Sequence, residues 1–181
     1  MESSEVFEIH GTARKTPYAV SGIRILLSFA FFYAFVVGAV DVAIILYAIA
    51  FVSDIVDGRL ARKMKTRSLT SVEAYLDPAA DFILVMASFS AFALREMYPA
   101  WILGVLAFMF LFFVISSSRK RPCYDPVGKY YGTFLLTAIG VSLLLPHEAI
   151  FHGVILLIVS YTLGLIIYRT FFLWKQHVEH G

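Results

Sequence analysis

Charged residues are scarce in this chain of 181 residues, and they make up only 15% of it. A soluble domain carries about 25% charged and about 45–50% apolar residues, whereas 60% of this chain is hydrophobic. This composition argues against a water-soluble globular fold and predicts a membrane protein. Two other features are nearly absent. The single cysteine, Cys123, excludes an internal disulfide framework, and the net charge of +2 gives no support for a nucleic-acid partner.

Uncharged runs follow one another along the chain, and about 20 apolar residues suffice to cross a bilayer. Three of the six runs are too short to span the membrane alone, so the charged helix ends next to them must complete the span. A backbone that left its helix inside lipid would find no hydrogen-bond partners for its amides. We therefore predict an all-α, polytopic membrane protein of one domain over residues 1–181, in which residues 1–16 form a short N-terminal interfacial segment. The six predicted transmembrane helices are 17–38, 41–63, 73–95, 98–118, 128–146 and 148–172.

The basic residues predict the orientation of these helices. With six spans, fourteen of the 15 Lys and Arg residues fall on one face of the membrane, and only Arg95 falls on the other. Cytoplasmic loops carry an excess of Lys and Arg. We therefore expect both termini, and the basic connections 58–73 and 119–129, to be cytoplasmic.

Four aspartates lie near the cytoplasmic ends of helices 2 and 3. Asp54 and Asp57 are three residues apart, and Asp77 and Asp81 are four apart, so each pair shares a helical face. Four carboxylates brought together at the membrane surface repel one another strongly unless a cation is bound. Oxygen ligands favour a hard divalent ion such as Mg²⁺, Mn²⁺ or Ca²⁺ over zinc.

Two other interpretations of the acids are open at this point. Pairing with the neighbouring Arg and Lys residues explains one or two carboxylates but not four at helical spacing. A membrane cation transporter needs polar groups along the membrane depth, and helices 4, 5 and 6 have no charged residue in their cores. Acids on one side of the membrane favour an enzyme.

These residues resemble the signature of the CDP-alcohol phosphotransferase family, D-x-x-D-G-x-x-A-R, about eight residues, then G-x-x-x-D-x-x-x-D. Seven of its eight positions match, although outside 54–81 the resemblance is one of helix number, orientation and size. The matching residues are Asp54, Asp57, Gly58, Ala61, Arg62, Asp77 and Asp81.

The resemblance implies a phospholipid-synthesising transferase in the cell membrane, with its active site on the cytoplasmic side. Such an enzyme moves a phosphatidyl-type group from a CDP-linked lipid, CDP-diacylglycerol or CDP-archaeol, to an acceptor alcohol and releases CMP. A homodimer is also implied. By the same resemblance, Asp81 is the catalytic base, and two Mg²⁺ or Mn²⁺ ions are held by Asp54, Asp57, Asp77 and Asp81. The resemblance also implies that the nucleotide is bound by Gly58, Ala61, Arg62 and Glu73.

Two departures from the family pattern concern the nucleotide site. Ten residues, 63–72, follow Arg62 where about eight are usual, and Glu73 stands where the family has its second glycine. Three consequences are open: the longer connection re-aims Glu73, the donor differs, or the protein has become an inactive scaffold.

Basic residues on the same side are candidates for binding a phosphorylated acceptor such as glycerol 3-phosphate. Arg119, Arg121 and Lys129 occupy this position, and Arg24 is similar to an arginine found early in the glycerophosphate branch of the family. Alternatively, Arg119, Arg121 and Lys129 set the orientation of the protein in the membrane and contact anionic lipid headgroups.

Overall fold

The computed structural model describes residues 21–63, 71–116 and 126–180, with side chains over 21–53, 78–115 and 130–171. Within these ranges the chain is helical and has no strand, which confirms the all-α prediction. The predicted interfacial segment, 1–16, lies outside the described residues. The six helices are α1 (Ser21–Val37), α2 (Val40–Lys63), α3 (Ser71–Leu94), α4 (Trp101–Ser116), α5 (Pro126–Leu144) and α6 (Glu148–His180).

Apart from the start of α1, which borders the undescribed residues, two helix bounds differ from prediction by more than two residues. The first is the start of α4, which lies at Trp101 and not at 98 because residues 95–100 form a turn. The first hydrogen bond of α4 is donated by the amide of Ile102 to the carbonyl of Pro99. The second is the end of α6, which continues to His180 and not to 172. A helix can continue into water after its apolar part has ended, so the apolar run underestimates its length.

One described helix is long and apolar enough to cross a membrane, over Glu148–Phe171. The apolar parts of the others are shorter, at 10–17 residues, and their ends adjoin polar or undescribed segments. The prediction of six spans with cytoplasmic termini therefore stays a prediction. The shorter apolar stretches are Ser21–Val37, Val40–Ser53, Pro78–Leu94, Trp101–Ile115 and Tyr130–Leu144.

Two helices end in the same hydrogen-bonded motif, which reverses the chain. After α1, the amide of Gly38 donates to Phe35 O at 3.1 Å and that of Ala39 donates to Ala34 O at 2.9 Å. After α3, Glu96 and Met97 donate in the same way to Ala93 and Phe92, both at 3.0 Å. This is the Schellman motif, whose residue after the helix adopts a left-handed conformation. Gly38 has a φ of 98°, and Glu96 has a φ of 60°.

Exchanging the residue types at these two positions should change stability in opposite directions. The left-handed conformation costs a residue with a Cβ about 1–2 kcal/mol, so we expect Glu96→Gly to raise the melting temperature and Gly38→Ala to lower it. Gly104→Ala is the control, because a Cβ at this helical glycine meets no atom within 4 Å. Thermal melting in detergent, followed by circular dichroism, measures all three. Stabilisation by Gly38→Ala would contradict the prediction.

The chain divides into two compact units, Met1–Ala87 and Ser88–Gly181, and the prediction of one domain is not tested by this division. In the first unit, α1 packs on α2 through aromatic rings. The ring of Phe31 lies 6.3 Å from that of Tyr47, and both side chains are buried. Ala43 and Ala50 are fully buried along the same helix α2. Their small side chains allow close helix contact.

In the second unit, Tyr98 joins the turn before α4 to α5 and α6. Its ring lies 5.3 Å from that of Phe89 and 5.4 Å from that of Phe151, measured between centroids. The Tyr98 hydroxyl is hydrogen-bonded to Ser142 Oγ at 2.6 Å. Because a buried phenol needs a polar partner, this bond satisfies Tyr98 within an apolar cluster.

The other helix contacts of the second unit involve α6. Tyr131 of α5 is hydrogen-bonded to Thr162 at 2.7 Å. Arg169, which is buried, places its guanidinium carbon 4.8 Å from the centroid of the Phe113 ring of α4. A cation over an aromatic face is attracted by the ring quadrupole, so this contact helps to hold α6 against α4.

Candidate active site

The predicted acidic motif begins on α2, which continues without a break to Lys63. Asp54 and Asp57 therefore occupy the helical register that the sequence predicted, and Gly58, Ala61 and Arg62 follow on the same helix. Their side chains lie outside those that the structure describes, so the roles of these five residues stay predictions.

The motif continues on α3, which begins at Ser71 and carries Glu73, Asp77 and Asp81. Asp77 and Asp81 are one helical turn apart, as predicted. The side chains of Glu73 and Asp77 are not among those described. The side chain of Asp81 is described, and 30% of its surface is exposed.

Asp81 is paired with Arg24 of α1. Nη1 of Arg24 donates to Oδ1 of Asp81 at 2.5 Å, and the two residues are 57 positions apart in the chain. The Arg24 side chain is only 3% exposed. Because a buried charge is costly unless it is paired, the Asp81 carboxylate stabilises Arg24 in this position. The guanidinium in turn compensates the negative charge of Asp81.

Helix α1 contacts both helices that carry the acids. Phe31 packs on Tyr47 of α2, and Arg24 binds Asp81 of α3. Tyr47 in turn stacks on Phe51 at a centroid distance of 6.0 Å, one turn before Asp54. Helix α1 therefore links α2 and α3 within the first unit.

In the first half of α1 the buried side chains are polar and the exposed ones are apolar, whereas the buried side chains of its second half are apolar. Ser21, Arg24 and Ser28 are buried at helical spacing, whereas Leu26 is 71% and Phe29 is 62% exposed. A helix in water shows the opposite arrangement. Polar side chains that face the interior of a bundle, with apolar ones outside, are typical of helices surrounded by lipid.

The residues of the motif fit a divalent metal by the chemistry of their donors. All four are carboxylates, placed in pairs at helical spacing on α2 and α3, and carboxylate oxygens are what Mg²⁺ and Mn²⁺ prefer. Among the side chains that the structure describes, no group of three potential ligands occurs. Three of the four aspartates lie outside that set, so this observation does not test the predicted site.

The predicted acceptor residues are described least. Arg119 and Arg121 lie outside the described residues, and Lys129 is described only as part of the α5 backbone. Their proposed contact with an acceptor therefore stays a prediction.

Sequence reasoning missed the partnership of Arg24 with Asp81. It singled out Arg24 only as a resemblance to one branch of the family. One signal was present, namely an arginine directly before the uncharged run of a predicted transmembrane helix. An arginine within a membrane helix usually has an acidic partner, but the sequence offers several candidate acids.

The fold and this site define a helical protein with an acidic motif on two consecutive helices. Comparison with known families agrees, because the model of the CDP-alcohol phosphatidyltransferase family matches residues 14–168. The chain belongs to the CDP-alcohol phosphatidyltransferase family.

One curated relative is a cardiolipin synthase (CMP-forming) from Streptomyces coelicolor. It is 33% identical over 85 residues, which are 46% of this chain and 39% of the relative. The match thus spans well under half the length of that relative. No solved structure matches the chain.

Proposed function

We propose that this protein transfers a phosphatidyl-type group from a CDP-linked lipid to the hydroxyl of an acceptor alcohol and releases CMP. The proposal follows from membership of the family and from the match of the acidic motif. A CDP-diacylglycerol and a CDP-archaeol donor are both compatible with it.

The observation that carries the proposal is the environment of Asp81. Its carboxylate is held by a buried arginine on one side and is 30% exposed on the other. A general base must be fixed in place and yet reach the proton that it accepts. Asp81 meets both conditions, and it is the last acid of the family motif.

In the reaction, the acceptor hydroxyl oxygen attacks the phosphorus that carries the lipid. A new P–O bond forms, the bond from this phosphorus to the CMP oxygen breaks, and CMP leaves with the electron pair. The hydroxyl proton passes to the Asp81 carboxylate. Phosphoryl transfer depends mainly on positioning and on charge compensation, and the helical placement of the four aspartates supports both.

Asp54, Asp57, Asp77 and Asp81 would hold the divalent ions, two Mg²⁺ or Mn²⁺. When bound, such ions neutralise the charge of the donor pyrophosphate. On α2, small residues leave room for the nucleotide beside the backbone, and Arg62 offers a positive charge to a phosphate. The nucleotide residues proposed are Gly58, Ala61, Arg62 and Glu73.

The acceptor has two candidates. The basic residues Arg119, Arg121 and Lys129 favour a phosphorylated polyol such as glycerol 3-phosphate, because Arg and Lys bind phosphate. The name of the relative favours a second candidate, the lipid acceptor that yields cardiolipin. The two differ in their lipid product, and both release CMP.

We place the site at the cytoplasmic face of the cell membrane, within a bundle of six spans, and we propose a homodimer. The distribution of Lys and Arg supports the orientation, and the lipid-like surface of α1 supports the membrane setting. The dimer is supported by the family resemblance alone.

The test is CMP release by the purified chain in detergent, with a CDP-lipid donor and Mg²⁺ or Mn²⁺. Separate reactions contain glycerol 3-phosphate, an inositol phosphate, inositol, serine, or the lipid acceptor that yields cardiolipin. We expect metal-dependent CMP release with one acceptor and its lipid product. Folded protein that releases no CMP with any donor or acceptor would contradict the proposal and favour the scaffold, and metal movement into vesicles would favour the transporter.

A further inference from the structure

The Arg24–Asp81 pair has an asymmetry in exposure that separates the roles of its two members. Arg24 is 3% exposed and Asp81 is 30% exposed. A group on a substrate can therefore reach Asp81, whereas Arg24 lies behind it, on the buried face of α1 between Ser21 and Ser28. Arg24 is thus poorly placed to contact an acceptor phosphate directly.

Burying an arginine between two helices is energetically unfavourable. The desolvation of a guanidinium costs several kcal/mol, and an apolar residue of similar volume often packs equally well or better. This desolvation cost is explained if the charge and the planar geometry of Arg24 position the Asp81 carboxylate. Nη1 of Arg24 donates to Oδ1 of Asp81, and a hydrogen bond between two charged groups is stronger than one between neutral groups.

We infer that Arg24 is a positioning residue, which holds Oδ1 of Asp81 so that the rest of the carboxylate is presented to a divalent ion and to the acceptor hydroxyl. An ionised carboxylate has about four lone-pair sites, so one bond from Arg24 is compatible with binding an ion. The inference rests on the proposed role of Asp81. It adds a residue outside the acidic motif that acts through Asp81.

Metal binding tests this inference without using the reaction. Mn²⁺ is titrated into the purified chain of 181 residues without substrate, and the rise in melting temperature gives the midpoint concentration for binding. Removing an outer partner of a metal ligand typically weakens metal binding about 10–100-fold. We therefore expect Arg24→Met to raise the Mn²⁺ midpoint at least about tenfold, and Arg24→Lys, which keeps the charge but loses the planar fork, to raise it less.

Ser28→Ala is the matched control. Ser28 is fully buried on the same face of α1, and its hydroxyl donates to the Arg24 carbonyl at 2.7 Å within the helix. Its loss removes a buried hydrogen bond close to Arg24 but leaves the ion pair in place. We expect a lower melting temperature with an unchanged Mn²⁺ midpoint.

A double mutant shows whether Arg24 acts through Asp81. In the Asp81→Asn background, adding Arg24→Met should leave the Mn²⁺ midpoint where Asp81→Asn alone puts it. A further increase would mean that Arg24 acts elsewhere and would overturn the inference. So would an unchanged midpoint in Arg24→Met, which indicates a purely structural role, or a lower midpoint, which indicates that Arg24 competes with the ion. Failure of both Arg24→Met and Arg24→Lys to fold would likewise assign the pair to folding and overturn it.

The titration also separates this inference from the proposed function. If the wild-type chain binds Mn²⁺ but releases no CMP, the proposed reaction is wrong and the midpoints still decide the role of Arg24. If CMP release is normal and Arg24→Met leaves both kcat and the metal midpoint unchanged, the reaction stands and the role of Arg24 is refuted.

Discussion

Asp81→Asn should lower the rate of CMP release by at least about a hundredfold, because general base catalysis contributes about 10²–10⁴-fold. Asparagine keeps the size of the side chain but neither accepts the proton nor provides an anionic metal ligand. The effect should appear in kcat at saturating donor and acceptor, since the proton is transferred during the chemical step. The measurement is initial CMP release at several metal concentrations.

Asp41→Asn is the matched control for this variant. Asp41 is an exposed aspartate in the first turn of α2, at the end of that helix opposite to Asp54 and Asp57. We expect it to keep the wild-type rate. Because Asp81→Asn also removes an ion pair of the buried Arg24, its melting temperature must be measured in parallel. A folded Asp81→Asn protein that keeps more than a tenth of the wild-type rate would refute the assignment of the base.

Phe31→Ala should lower the stability of the first unit strongly. Phe31 is fully buried, and its ring lies 5.9 Å from that of Phe35 and 6.3 Å from that of Tyr47. Removing a buried phenylalanine side chain costs about 3–5 kcal/mol, since apolar contacts are lost and a cavity remains. In a membrane helix the lost packing contacts are the larger part of this cost.

Phe29→Ala is the control for the loss of a ring. Phe29 lies on the same helix, two residues away, and is 62% exposed. Thermal melting in detergent should show a fall on the order of 10 °C for Phe31→Ala and little change for Phe29→Ala. Equal shifts in the two variants would mean that the outer face of α1 is also packed, and would contradict the assignment of its inner face.

The sequence predicted most of the helices because their signals are local. An apolar run bounded by charges or by a turn residue predicts a membrane helix wherever the rest of the chain lies. The turn at Gly38 is an example, since glycine favours the left-handed conformation that ends α1. The turn at Glu96 has the same geometry without glycine, and for that reason the start of α4 was predicted three residues too early.

The candidate site divides in the same way between local and tertiary information. The sequence by itself determined the class of the protein and the pairing of acids along α2 and α3, because helical periodicity depends only on spacing within one helix. Only the tertiary structure decided which cation meets Asp81. Arg24 and Asp81 are 57 residues apart, and their contact depends on how α1 packs against α3, which no local pattern encodes.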